Sequence, residues 1–176
     1  MDARDFVKVG MSAERRLVVP PERTVGHFVP GMPMIYATPM MILEMEMTSG
    51  DAISGHLPQG WVTVGTEVDI RHLAATGVGE TVRTTAHVVA VERKVIRFEV
   101  EAFDSVRRIG EGRHARGFIN VANFEKRFGI TSPSPRMRGE VWGEGADGFA
   151  NAAGSVAANA PHPAQAPTSP RKNGER

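Results

Sequence analysis

The amino-acid sequence predicts an α+β fold in which one long buried helix packs on a face of an antiparallel sheet. Residues 39–48 are apolar almost all round, which is typical of a helix buried on several sides. Segments with strand signals follow in 61–121, separated by short connections such as antiparallel neighbours allow. One helix followed by a run of strands gives this layered arrangement most simply.

The first elements have clear local signals. A short strand is predicted over 14–19, where two prolines close it. Thr38 followed by Pro39 predicts a helix start, because threonine at the N-cap accepts a bond from a free N–H and proline at the first helical position loses none. We expect the helix to run over 39–48 or a little beyond.

Four more strands are predicted after the helix. The third of them shows the clearest pattern, with four apolar residues at every second position. The fourth contains three glycines, which indicates a bulge or a bend. Consecutive strands should pair in a four-stranded meander. The predicted bounds are 61–73, 80–92, 95–103 and 109–121.

Composition excludes several classes of function. The 21 basic and 20 acidic side chains nearly cancel, so no electrostatic footprint for nucleic acid or an anionic membrane is present, and a small-molecule partner is expected. The absence of cysteine excludes disulfides, thiolate nucleophiles and thiolate-bound metals. The six histidines show no metal-site spacing, and we expect no metal and no cofactor. Without an apolar leader or an eighteen-residue apolar run, a cytoplasmic protein is expected.

The chain changes character near residue 130. We expect a single domain over 1–131, which is long enough for a sizeable core. From 132 to 176 the sequence is rich in Pro, Gly, Ala, Asn and Ser, and such a composition predicts a disordered low-complexity tail. The alternative is an interaction tail that uses Trp142 and Phe149.

Three polar side chains in the ordered part have competing explanations. On a helical wheel Glu46 lies over Ile42 and Leu43, inside the apolar surface, where a carboxylate needs a partner or takes up a proton. Glu46 is therefore a candidate functional acid, or else it pairs with an arginine or faces water at the helix end. His72 at a strand end is equally typical of a structural histidine, and Thr38 is already explained as an N-cap.

A set of motifs extends over residues 8–128 in a consistent order and spacing. They are Val18–His27, Tyr36–Thr38 with Glu46 eight residues on, Gly65–Thr66 with His72 seven on, Ala74–Thr76, and Gly110–Arg116. Together they resemble the fluoroacetyl-CoA-specific thioesterase family. The resemblance implies a homodimer with the hotdog fold, a curved antiparallel sheet wrapped around a central helix.

The resemblance also implies roles for individual residues in an acyl-CoA thioesterase. Thr38, Glu46 and His72 would be catalytic, the Gly65 backbone N–H would bind substrate, and Arg116 would support the site. Glu46 would attack the thioester carbonyl or act as general base on water, and His72 would move protons. Thr38 and the Gly65 N–H would stabilise the oxyanion.

Helix geometry restricts how these residues can meet. Thr38 and Glu46 are separated by about 12 Å along a straight helix, so they do not touch within one chain. Either His72 and the substrate bridge the gap, or one member comes from the partner chain and the site lies at the dimer interface.

The segment before Thr38 bears on the substrate. Only ten residues separate His27 from Thr38, and the phenylalanines of the family's gate have no counterpart there. We therefore expect a short or medium acyl-CoA other than fluoroacetyl-CoA. The alternative functions are a non-catalytic acyl-CoA-binding or sensing module, and an enoyl-CoA hydratase, for which the expected aspartate is missing.

Overall fold

A seventeen-residue helix lies across a five-stranded antiparallel sheet. The computed structural model describes residues 1–131, so the predicted tail over 132–176 lies outside the described residues. In that part of the chain no helix is both long and apolar enough to cross a membrane. The elements are β1 (Ser12–Val18), α1 (Val25–Phe28), α2 (Thr38–Ser54), β2 (Trp61–His72), β3 (Thr81–Val91), β4 (Val95–Phe103), β5 (Arg108–Asn120) and α3 (Val121–Phe128).

All five predicted strands are present, but the predicted meander is wrong at its first step. The order across the sheet is β1-β3-β4-β5-β2, so β2 pairs with β5 at one edge and not with β3. The connection over 73–80 carries the chain from this edge to β3, which lies between β1 and β4. Its length is compatible with either route, which is why spacing alone did not reveal the crossing.

Helix α2 is longer than predicted because the polar residues after Met47 do not end it. The hydroxyls of Thr48 and Ser49 donate to the backbone oxygens of Glu44 and Met45, at 2.7 and 2.8 Å. These bonds satisfy two buried hydroxyl groups within the helix itself. The buried residues of α2 recur at helical spacing and form one face of the helix. They are Met41, Glu44, Met45, Thr48, Ser49, Ala52 and Ile53.

The buried carboxylate of α2 is Glu44, whereas the helical wheel placed Glu46 in that position. Glu44 is 2% exposed and accepts hydrogen bonds from Arg15 Nε at 2.7 Å and Arg23 Nη1 at 2.9 Å. The Glu46 side chain is 37% exposed. Since α2 is apolar nearly all round, the wheel could not tell which side faces the sheet. The double ion pair ties α2 to β1 and to the segment before α1.

Glu44→Gln should strongly destabilise the fold, because it leaves two arginine cations without their shared carboxylate. Breaking a buried ion pair by removing one partner costs about 3 kcal/mol or more. The free energy of unfolding from urea titrations checks this, with Glu46→Gln as the matched control, since that carboxylate is half-exposed. Equal losses in the two variants would contradict the assignment.

Candidate active site

The first polar cluster joins the start of α2 to the end of β2. Thr38 Oγ1 lies 2.8 Å from His72 Nδ1. The prediction that Thr38 caps the helix is wrong, because Ala37 is the N-cap and Thr38 is the first helical residue. Its hydroxyl is thereby free to turn towards His72.

The two ring nitrogens of His72 have different surroundings. Its Nε2 atom is buried and has no hydrogen-bond partner among residues 1–131. Nδ1 contacts the hydroxyl of Thr38, which is exposed. Nδ1 is therefore the ring nitrogen that contacts an exposed hydroxyl, whereas Nε2 is enclosed.

A mainly apolar cleft of about 490 Å³ opens beside this pair. Its aliphatic wall comes from Val25, Met32, Ile35 and Leu73. The N-terminus of α2 points into the same region, and its partial positive charge favours negative charge there. The cleft can thus hold a short apolar group next to a place that stabilises an anion.

The second polar cluster centres on Arg116 of β5. Its Nε and Nη2 atoms donate to the side chain and backbone oxygens of Thr63, both at 2.9 Å. Its Nη1 atom donates to the backbone oxygen of Glu46 at 3.0 Å and approaches Glu46 Oε1 at 3.4 Å. The guanidinium is thus fixed to β2 and holds the Glu46 carboxylate beside it.

Gly65 leaves the space that this carboxylate occupies. A Cβ atom at position 65 would lie 2.6 Å from Glu46 Oε1 and 3.2 Å from His114 Cε1. Such an approach is closer than van der Waals contact allows, so any side chain here would displace Glu46. The close approach of the Glu46 carboxylate to the backbone explains why residue 65 is a glycine.

A β-bulge sets which residues of β2 face the helix. The register with β5 shifts between Gly65 and Glu67, so Thr66 is the extra residue. Without the bulge, Gly65 and His72 would face opposite sides of the sheet because seven residues separate them. With it, Gly65 faces Glu46 and His72 faces Thr38, both on the side of α2.

Within one chain the two clusters stay apart. Gly65 pairs with Arg116 near one end of β2, whereas His72 pairs with Gly110 at the other end. Seven residues of strand span roughly 20 Å. The structure therefore brings Thr38 to His72 and brings Glu46 to Gly65 and Arg116, but it does not join these two groups in a single chain.

Sequence reasoning missed His114. It is 2% exposed, its Nδ1 lies 2.9 Å from the backbone oxygen of Glu67, and its Nε2 lies 3.4 Å from Arg116 Nη1. The sequence pattern of the histidines other than His72 was informative only about metal spacing, and in residues 1–131 no group of three or more carboxylates and histidines could hold a metal ion. The usable signal was the alternation of His114 with Arg116 on one face of a strand.

Comparison with known proteins gives consistent matches. Residues 19–122 match the family model of FlK, described as fluoroacetyl-CoA-specific thioesterase. The fluoroacetyl-CoA thioesterase of Streptantibioticus cattleyicolor is 33% identical over 137 residues, which cover 74% of this chain and 99% of that protein. The matched region includes both polar clusters.

Solved structures agree with the sequence matches. The structure of FlK aligns with a TM-score of 0.66 at 33% identity, covering 72% of this chain and 98% of that one. A thioesterase superfamily member from Thermus thermophilus aligns at 0.64 and 31% identity, covering 77% and 96%. A hot-dog-like protein from Thermanaerovibrio acidaminovorans, at 0.67 and 23% identity, covers 73% and 95% and supports the fold alone. The predicted hotdog fold is confirmed.

His114 should make the stability of the fold depend on pH. Burial lowers the pKa of its imidazole below 6.5, and the Arg116 cation lowers it further. The unfolded chain takes up this proton near pH 6.5 and the folded chain takes it up only at lower pH, so the free energy of unfolding falls as the pH drops below 6.5. For one proton the slope is at most about 1.4 kcal/mol per pH unit.

Urea titrations between pH 7 and pH 5.5 measure this dependence. His114→Gln should lose the contribution, whereas His87→Gln, which changes an exposed histidine of β3, should keep it. The same slope in the wild type and in His114→Gln would show that burial does not keep His114 neutral.

Proposed function

We propose how this chain, which belongs to the fluoroacetyl-CoA-specific thioesterase family, hydrolyses acyl-CoA thioesters: Glu46, His72 and Thr38 carry the reaction. The observation that supports these roles is the pair of polar clusters on the helix side of β2. One holds a carboxylate against a glycine, and the other couples a hydroxyl to an imidazole at 2.8 Å. Thioester hydrolysis needs an attacking oxygen, a proton carrier and a place for the oxyanion.

Glu46 supplies the attacking oxygen by one of two routes. In the first, its carboxylate adds to the thioester carbonyl, the C–S bond breaks, and water then opens the resulting anhydride. In the second, Glu46 takes a proton from water and the hydroxide adds to the carbonyl. Both routes consume one thioester and one water and release the acid and free CoA. Arg116 keeps the carboxylate aimed at Gly65 in either case.

Thr38 and His72 serve the leaving group. The Thr38 hydroxyl passes its proton to the departing thiolate sulfur and takes one from His72 Nδ1, and the proton that the attacking water releases returns to His72 through solvent and Thr38. The positive end of α2 favours the negative charge that develops on the carbonyl oxygen and on sulfur. The Gly65 backbone N–H adds a donor to the oxyanion.

A homodimer would complete the site. The strand β2 is an edge of the sheet, and residues 65–69 on it are exposed. If two copies pair antiparallel along this edge about a two-fold axis near Val68, the end of β2 that carries Gly65 in one chain lies towards the end that carries His72 in the partner subunit. The Glu46 cluster of one protomer then meets the Thr38 cluster of the other.

Exposed apolar side chains along this edge support the same interface. Val68 is 48% exposed although its register neighbour on β5 is the buried His114. Val62 on β2 and Leu43 on α2 are also exposed. Pairing of two copies would bury these side chains and satisfy the free backbone groups of an edge strand.

The cleft indicates the substrate class. Its aliphatic wall suits a short or medium unbranched acyl group better than a charged one. The only phenylalanine between residues 21 and 37 is Phe28, which is exposed and stacks edge-on against His27. A phenylalanine-to-alanine mutant of FlK has been solved in complex with fluoroacetate and CoA. For this chain we propose CoA thioesters of simple aliphatic acids.

A panel of acyl-CoA thioesters assayed for thiol release tests the proposal. We expect release from short and medium acyl-CoA, with kcat reduced about 100-fold or more in Glu46→Gln and His72→Ala. His87→Ala, an exposed histidine on β3, is the matched control and should be fully active. Binding without release by the wild type would instead indicate an acyl-CoA sensor.

A further inference from the structure

We propose that His114 is a positioning residue for this hydrolysis, holding the Arg116 guanidinium and the bulged part of β2 in the places that Glu46 requires. The inference rests on the proposed role of Glu46. His114 would act through its neighbours and would not touch the substrate.

His114 packs against the residues that surround the Glu46 carboxylate, on the sheet side of that cluster. It lies on β5 two residues before Arg116, so both side chains face α2. The ring is almost fully buried and packs near the Phe98 ring, with 6.3 Å between centroids. Its Cε1 atom would lie 3.2 Å from a Cβ at Gly65, so the imidazole also borders the space that holds the carboxylate.

The hydrogen bonds of His114 fix its tautomer. A backbone oxygen only accepts, so the 2.9 Å contact with Glu67 places the proton on Nδ1. Glu67 directly follows the bulge, so this bond holds the segment that presents Gly65. Nε2 is left with a lone pair, and it faces Arg116 Nη1 at 3.4 Å.

Arg116 Nη1 shares its two hydrogens among three acceptors. These are the backbone oxygen of Glu46 at 3.0 Å, its Oε1 at 3.4 Å and His114 Nε2 at 3.4 Å. Without the imidazole acceptor, the guanidinium loses one of the contacts that define its plane next to the carboxylate. A small displacement of Glu46 would then reduce the rate, since reacting groups must be held closely.

Burial is the main reason why the His114 ring stays neutral, and its charged neighbours act in opposite directions: the Arg116 cation lowers the pKa of His114 and the Glu46 carboxylate raises it. The charged groups that face it are the Arg116 cation on β5 and the Glu46 carboxylate on α2, while the neighbour on β4 is Phe98. An imidazolium would turn an N–H towards the Arg116 cation and compete with it for Glu46. Burial, which lowers the pKa of His114, prevents this at neutral pH.

Two substitutions separate the two contacts of the ring. His114→Asn keeps an amide donor near the Nδ1 position but removes the Nε2 acceptor. We expect kcat to fall about 10-fold to 100-fold, with KM close to that of the wild type and a melting temperature no lower than that of His114→Gln. His114→Gln places an amide oxygen near the Nε2 position and should recover part of kcat. His87→Asn, which changes an exposed histidine, is the control.

The outcomes distinguish this inference from the proposed function. Wild-type kcat in His114→Asn, with Glu46→Gln inactive, would overturn the role of His114 and leave that of Glu46 intact. If the loss of kcat in His114→Asn and His114→Gln is proportional to the loss of melting temperature, His114 acts only as part of the hydrophobic core. That result would also overturn the inference. Full activity of Glu46→Gln would overturn the proposed site and this inference with it.

Discussion

The rigidity of α2 is the constraint on which the candidate site depends. A continuous helix from Thr38 to Ser54 keeps Thr38 and Glu46 about 12 Å apart along its axis, and no side-chain movement closes that gap. Each residue instead contacts a different part of β2: Thr38 contacts His72, and Glu46 packs against Gly65. One chain therefore carries the two polar clusters at separate places, and in the proposed homodimer an antiparallel copy of the β2 edge brings them together.

Two glutamates of α2 lie close together in the sequence but in different surroundings: Glu44 is buried in an ion pair, and Glu46 is the residue for which we propose a catalytic role. Glu44 points into the fold, where Arg15 and Arg23 neutralise it. The backbone oxygen of Arg23 also accepts from the N–H of Ala37 at 2.9 Å, so the same anchor fixes the residue before Thr38. Glu46, two residues on, projects to the other side, where a glycine and Arg116 leave its carboxylate accessible. The buried ion pair of Glu44 thus fixes the rotation of α2 about its axis, and this rotation leaves the Glu46 carboxylate accessible to solvent.

Local sequence signals predicted the elements well, and long-range relations poorly. Val95–Phe103 was predicted to the residue because alternation is a local property. The place of β2 at the far edge was missed, since strand order depends on how the sheet wraps the helix. The wheel chose Glu46 over Glu44 because an all-round apolar helix has no marked face. Of the site, the resemblance supplied Thr38, Glu46, His72, Gly65 and Arg116, whereas the burial of His114 beside Arg116 became visible only in three dimensions.

Subunit mixing tests the shared site most directly. Glu46→Gln and His72→Ala chains, each inactive alone, are unfolded together in equal amounts and refolded. Half of the dimers would then be mixed, and each mixed dimer has one site with both wild-type residues, so about a quarter of wild-type activity should return. No recovery of activity, although mixed dimers form, would show that Glu46 and His72 act within one chain and would contradict the account.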